Sequence, residues 1–222
     1  MKLGVLYSGG KDSTLALLKA QEHHQIACLI TVLSENKESY MFQTANTHLT
    51  HLQAEALGVP LVRVTTKGVK EEELEDLRNA ISEAKAAHQI DGIVTGAVRS
   101  TYQASRVQRI CRELGVWCFN PLWLKDQVEL LQEVIDRGIV AVISGVFAEP
   151  LDESYLGKAI DPAMVAKLAK LKHRINPAGE GGEIETTVLF APGFTKRITI
   201  TKSRAEYANF SGTYQIEEAQ CS

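Results

Sequence analysis

The stretch Leu3-Gly4-Val5-Leu6-Tyr7-Ser8-Gly9-Gly10-Lys11-Asp12-Ser13 decides the fold. Leu3 to Tyr7 is a short apolar run of the kind that makes a buried strand, and the glycines end it. Ser13 to His23 then reads as a helix with Leu15, Leu17 and Leu18 on one side. A strand that turns through two glycines into a helix opens a β-then-α unit, and the first half of the chain repeats that unit. Ile26 to Leu33 is the second strand. Leu49, Leu52, Ala56 and Leu57 form one face of the next helix, which Gly58 stops. Pro60 to Thr66 is strand three, and Leu74, Leu77, Ile81 and Ala84 mark helix three. Ile90 to Thr95 is strand four, followed by a helix whose core face carries Val107, Ile110, Cys111 and Leu114; Val116 to Phe119 is strand five.

Five such steps predict an α/β fold: a five-stranded parallel sheet with helices on both faces. Ligands of such sheets sit at the C-terminal ends of the strands, so the loops after Tyr7, Leu33, Thr95 and Phe119 are the places for chemistry. The pattern changes after Trp123. A helix from Asp126 to Arg137, a strand from Ile139 to Ser144, a helix from Pro162 to His173 and strand-like runs at Ile184–Phe190, Arg197–Thr201 and Tyr214–Glu217 predict a smaller α+β domain. The expected division is 1–123 and 124–222.

Composition limits the function classes. Of 222 residues, 45% are hydrophobic and 23% charged, which excludes a disordered tail, a collagen-like repeat and a coiled-coil rod. Twenty-four Lys and Arg against 27 Asp and Glu give a net charge of −3, an argument against sequence-independent nucleic-acid binding. The longest near-continuous apolar run, Ile139 to Ala148, includes Ser144 and Gly145 and is too short to span a bilayer. No signal-peptide core precedes Ser8, so no membrane association and a cytoplasmic location are expected. Cys28, Cys111, Cys118 and Cys221 form no Cys-x-x-Cys and read as reduced thiols. His48 and His51 are spaced to share a helix face but lack a third ligand, and they read as surface histidines like His23, His24 and His88.

Ser8-Gly9-Gly10-Lys11-Asp12-Ser13 carries the chemistry. The glycines let backbone N–H groups approach an anion, and the helix N-terminus adds a favourable partial charge. Lys11 supplies a cation; Ser8 and Ser13 supply hydroxyls. Asp12 is a poor phosphate neighbour unless a divalent cation lies between them, which implies Mg²⁺. This is not a Walker A loop, since Val5 stands where its first glycine belongs and Asp12 replaces its Ser/Thr.

The hexapeptide resembles the PP-loop of the N-type ATP pyrophosphatases. That resemblance implies cleavage of ATP between its α- and β-phosphates, a loop that holds the pyrophosphate end, Asp12 as a holder of Mg²⁺, and backbone at Val32 and Leu33 that meets adenine. Four further segments are similar to the diphthine–ammonia ligase branch: Glu38-Ser39-Tyr40-Met41-Phe42-Gln43-Thr44-Ala45-Asn46, Gly96-Ala97-Val98-Arg99-Ser100-Thr101-Tyr102-Gln103 with Arg106, Asn120-Pro121-Leu122-Trp123, and Glu180-Gly181-Gly182-Glu183-Ile184-Glu185-Thr186. Leu151-Asp152-Glu153-Ser154-Tyr155-Leu156-Gly157 fits as well, and the similarity runs from Met1 to about Glu218. One departure is Gln43, where the branch has His; a His could carry a proton, whereas Gln43 can only hydrogen-bond.

The resemblance implies an ATP- and Mg²⁺-dependent ligase that adenylates the carboxylate of diphthine on translation elongation factor 2 and amidates it with ammonium. The remaining length holds no glutaminase domain, so free ammonium is the expected nitrogen source. Lys11, Asp12, Glu183 and Glu185 are the candidate catalytic residues. Ser8, Gly9, Gly10, Ser13, Val32, Leu33, Gly96, Ser100 and Arg106 join Lys11 and Asp12 at the nucleotide. Tyr40, Met41, Thr44, Asn46, Tyr102, Gln103, Trp123, Glu180, Gly181 and Gly182, with Glu183 and Glu185, are candidates for the acceptor. Arg106, one turn into its helix, either reaches a phosphate or lies on a solvated face. Trp123 and Tyr40 either attract a quaternary ammonium group or pack in the core or the domain seam. On a strand, Glu183 and Glu185 share a face. Their cluster would hold a trimethylammonium group, orient Mg²⁺ or take a proton from ammonium; the alternative is a solvated turn. A homodimer is expected because small two-domain enzymes are commonly twofold-symmetric. Two other readings are a tRNA-thiolating pyrophosphatase, disfavoured by the charge and the missing paired cysteines, and a non-catalytic nucleotide sensor.

Overall fold

A computed structural model describes residues 1–36, 45–69 and 71–222. The first half runs β1 (Lys2–Leu6), α1 (Lys11–Gln21), β2 (Gln25–Ser34), α2 (Thr50–Leu57), β3 (Leu61–Thr66), α3 (Glu72–His88), β4 (Gly92–Val94), α4 (Thr101–Glu113) and β5 (Trp117–Phe119). The five strands form one parallel sheet in the order β3-β2-β1-β4-β5, so the fold is the expected one. The strand order reverses at β1, which opens a crevice between the C-terminal ends of β1 and β4. β4 is shorter than its apolar run, although Asp91 N and Thr95 N still bond the neighbouring strands, to Lys2 O at 2.7 Å and Phe119 O at 2.9 Å.

The second half runs α5 (Gln127–Asp136), β6 (Val140–Val146), α6 (Pro162–Lys170), β7 (Ile184–Phe190), β8 (Ile198–Ala208) and β9 (Ser211–Cys221). Its antiparallel sheet has the order β7-β6-β9-β8. Helix starts follow local chemistry. Asp126 accepts from Val128 N and Glu129 N at the start of α5, and Asp161 accepts from Met164 N at the start of α6, with Pro162 just inside. β8 and β9 are eleven residues each, far longer than the short tail strands expected from the sequence. Their apolar pattern is sparse because most of β8 is exposed; the ladder runs from Ile198↔Cys221 to Ala208↔Ser211. Asn209 (φ 51°) and Phe210 (φ 58°) close the hairpin with the two positive φ angles of a type I′ turn.

The two faces of the parallel sheet are covered differently. Ile30, Ile93 and Cys28 pack under Leu77 and Ile81 of α3 and Ile110 of α4 in one core cluster. Val5, Leu29 and α1 residues Leu15 and Leu17 belong to another. That second cluster continues without a break through Leu130 and Leu131 of α5, Ile143 of β6, Leu168 of α6 and Val188 of β7. Lys19 of α1, Lys125 and Arg137 all donate to Glu133 of α5 at its rim.

Candidate active site

The crevice is a cavity of about 490 Å³, within the range of small-molecule sites. Leu6, Ile30, Val32, Leu77 and Val107 give it an apolar wall from β1, β2, α3 and α4. Ser8, Asp12, Ser13, Ser100, Glu180 and Glu185 supply a polar wall from the loop after β1, the starts of α1 and α4, and the turn into β7 with its second residue. An apolar slot beside a polar wall suits a base joined to phosphates. Three carboxylates line the cavity and, among the described residues, no Lys or Arg does.

The phosphate loop sits where the sequence placed it, with Gly10 as the N-cap of α1. The Ser8 and Ser13 hydroxyls lie 3.3 Å apart. Lys11 is only 2% exposed. Its Nζ donates to Ala178 O at 2.6 Å and to Asp12 Oδ2 at 2.9 Å, so the ammonium group lies beside the cavity lining rather than in it. Asp12 Oδ1 is buried and has no hydrogen-bond partner among the described residues. Gly96 is required for close approach: a β-carbon there would stand 2.8 Å from Ser13 N and 2.9 Å from the Asp12 carbonyl carbon.

The Glu-Gly-Gly-Glu turn divides its carboxylates. Glu180 Oε1 accepts from Arg99 N (2.8 Å) and Ser100 N (2.7 Å), which ties the turn to the start of α4. Burial raises its pKa, and the Asp12 charge adds to that; the two N–H bonds and Lys11 only partly offset it. Gly181 and Gly182 line the cavity. Glu185 also lines it, and its Oε2 accepts from Ala45 N at 2.9 Å. Glu183 does not share that place. Its Oε1 accepts from Asn176 N (3.1 Å) and Asn176 Nδ2 (2.7 Å), and its Oε2 accepts from Gly181 N (2.8 Å). The cause is position: Glu183 precedes β7, so the turn rather than the strand pleat sets its direction.

Other expected residues part in the same way. Val32, Gly96, Ser100, Tyr102 and Gln103 line the cavity; Leu33 does not. Arg106 is turned to Glu71, with Nη2 to Oε1 at 2.7 Å, and its guanidinium stacks 3.5 Å over the Tyr102 ring. Asn46 is a buried clamp: Nδ2 donates to Thr187 Oγ1 and Tyr214 O, and Oδ1 accepts from Ile216 N. Trp123 is 37% exposed and outside the lining. Tyr40, Met41, Phe42, Gln43 and Thr44 lie outside the described residues. His48 is exposed, as expected of a surface histidine, and its Nε2 meets Ile216 O at 3.1 Å.

Sequence reasoning missed two buried holders of the loop. Thr186 Oγ1 accepts from Lys11 N at 3.1 Å. Gln53 Nε2 donates to Gly9 O at 2.9 Å and to Val188 O at 2.8 Å. A signal for Gln53 existed, since it follows Leu49 by four residues and precedes Ala56 by three, a polar residue on an apolar stripe.

The diphthamide synthase N-terminal domain model matches residues 1–118, and the diphthamide synthase C-terminal domain model matches 126–221. The chain belongs to the diphthamide synthase family. Diphthine–ammonia ligase of Rattus norvegicus is 36% identical over 228 residues, covering 92% of this chain and 85% of that one. The Homo sapiens enzyme is 35% identical over 226 residues, with 91% and 84% covered. A solved structure described as a predicted subunit of tRNA methyltransferase from Methanocaldococcus jannaschii aligns with a TM-score of 0.44 at 18% identity, over 86% of this chain and 98% of that one.

Proposed function

We propose that this chain converts the carboxylate of a diphthine side chain on translation elongation factor 2 into an amide, using ATP and ammonium, in the cytosol. The observation that carries the reading is the meeting of the Ser8–Ser13 loop and the Glu180–Glu185 turn in one cavity beside an apolar slot. In this reaction the acceptor carboxylate attacks the α-phosphorus, the bond to the β-phosphate breaks and pyrophosphate leaves. Ammonia then attacks the acyl carbon, AMP leaves, and the nitrogen gives up a proton.

Leu6, Ile30, Val32, Leu77 and Val107 take the base. The N–H groups at the start of α1 and the Ser8 and Ser13 hydroxyls face the phosphates, where fixed donors act on developing charge without reorganising. Lys11 contributes its charge once it turns from Ala178 O. The buried, unpartnered Asp12 Oδ1 fits a divalent cation, so Asp12 is the residue that would hold Mg²⁺, with Glu180 beside it. Mg²⁺ bound there would neutralise charge on the phosphate oxygens. Glu180 and Glu185 stand where ammonium enters, and as carboxylates they attract it and accept its proton. Glu183 supports them by fixing the turn.

AMP release tests the reading. Wild-type protein releases AMP only when ammonium and the diphthine-bearing factor are both present, and pyrophosphate only when the factor is present. Asp12→Ala lowers AMP release by at least about a hundredfold, the scale of losing a charge-stabilising group. Near-normal turnover by Asp12→Ala contradicts the assignment.

A further inference from the structure

Gln53 is wholly buried on α2, and its two ends are used unequally. Its Nε2 donates to two carbonyl oxygens, Gly9 O at 2.9 Å and Val188 O at 2.8 Å. Its Oε1 is buried without a hydrogen-bond partner among the described residues. An apolar side chain of the same length would spare the unpartnered Oε1 but would take the donor from Gly9 O and Val188 O, so the work of the amide is its hold on those two carbonyls. The Gly9 carbonyl also accepts from Val188 N at 2.9 Å. One peptide of the phosphate loop is therefore held by α2 and β7 together.

That peptide sets the direction of the next donor. In a planar trans peptide the carbonyl of Gly9 and the N–H of Gly10 point in opposite directions. With the carbonyl drawn back against α2 and β7, the Gly10 N–H is directed at Ser8 Oγ, 3.4 Å away and on the cavity wall. At that length the N–H is poorly satisfied, and an anionic oxygen is a better acceptor. Gly9 itself has φ +80°, and the Gln53 amide is the nearest group to any β-carbon placed there.

We infer that Gln53 is a positioning residue for phosphate recognition, holding back the Gly9 carbonyl so that the Gly10 N–H is presented to the phosphates of the nucleotide. This rests on the nucleotide reading of the cavity. It assigns to α2 a part in the site that none of its residues shows by lining the cavity.

The test compares ATP with adenosine, which lacks phosphates. Dissociation constants for both, with Mg²⁺ present, are measured by calorimetry for wild-type, Gln53→Met, Gln53→Glu and the packing control Thr50→Val. Thr50 is buried on the same helix and bonds only locally to Thr47 O. The expected result is that Gln53→Met weakens ATP about tenfold, the factor that about 1.4 kcal/mol produces. Gln53→Glu weakens ATP further, because a carboxylate faces two carbonyl oxygens. Adenosine binds all four proteins alike. Equal losses for ATP and adenosine, wild-type ATP affinity in Gln53→Met, or failure of Gln53→Met to fold each overturns the inference in favour of a structural role. Wild-type protein that binds neither ligand defeats the nucleotide reading itself, a distinct result.

Discussion

The two faces of the parallel sheet share a fold but not a fate. On the α3 and α4 face the buried cluster lies between Cys28 and Val116, so the first half of the chain completes it alone. On the α1 face the cluster runs on into α5, β6, α6 and β7. The phosphate loop belongs to this second face. Its residues bond Thr186, Ala178 and Val188, all beyond the change of pattern near residue 124. A joint in sequence is thus not a joint in the core: the loop end of the site forms where the core is shared, while its apolar wall of Ile30, Val32, Leu77 and Val107 belongs to the other cluster.

The largest expected effect comes from cutting at that joint. Residues 1–123 alone leave Leu15 and Leu17 without α5 and β6 to cover them, and the fragment should lack a cooperative thermal transition by calorimetry. A sharp transition in the fragment would break the comparison. Next come paired truncations. Leu17→Ala on the shared face and Ile81→Ala on the other should each cost about 2–5 kcal/mol in denaturant unfolding. Leu17→Ala should also raise the KM for ATP, because α1 begins in the Ser8–Ser13 loop.

The rim of the shared face gives a pH test. Burial acts to raise the pKa of Glu133, but the hydrogen bonds from Lys125, Lys19 and Arg137 prevail and hold it down to about 2. A folded value below the unfolded one means that its stabilisation is complete above about pH 4.5 and fades as pH falls from there toward about 2. Glu133→Gln should cost about 1–2 kcal/mol near neutral pH, and its melting temperature should fall less steeply than that of wild-type below pH 4.5. The smallest effect belongs to the exposed turn of the β8–β9 hairpin. Phe210→Gly relieves a positive φ on a bulky residue and should raise stability by up to about 1 kcal/mol in thermal unfolding.

Legibility followed burial. The strands of the parallel sheet were readable because each is a short, mostly apolar run ended by a turn residue. The β8–β9 hairpin was read too short because Lys202-Ser203-Arg204-Ala205-Glu206 is exposed and has no apolar alternation; cross-strand pairing and the Asn209-Phe210 turn form it instead. The phosphate loop was legible because its residues are contiguous. Gln53 and Thr186 were not, because their roles depend on contacts from 44 and 175 residues away. Asn46 and Glu183 were legible as polar residues of the right segments, but their bonds were not: Asn46 holds Thr187, Tyr214 and Ile216, and Glu183 holds Asn176 and Gly181, contacts that spacing alone does not reveal.

The most direct test is the intact mass of diphthine-bearing elongation factor 2 after incubation with the wild-type protein, ATP, Mg²⁺ and ammonium. The account predicts the mass change of a carboxylic acid becoming an amide, one per factor, with AMP formed and both signals lost without ammonium. AMP formation with the factor's mass unchanged would contradict the proposed acceptor, and the absence of both would contradict the reaction.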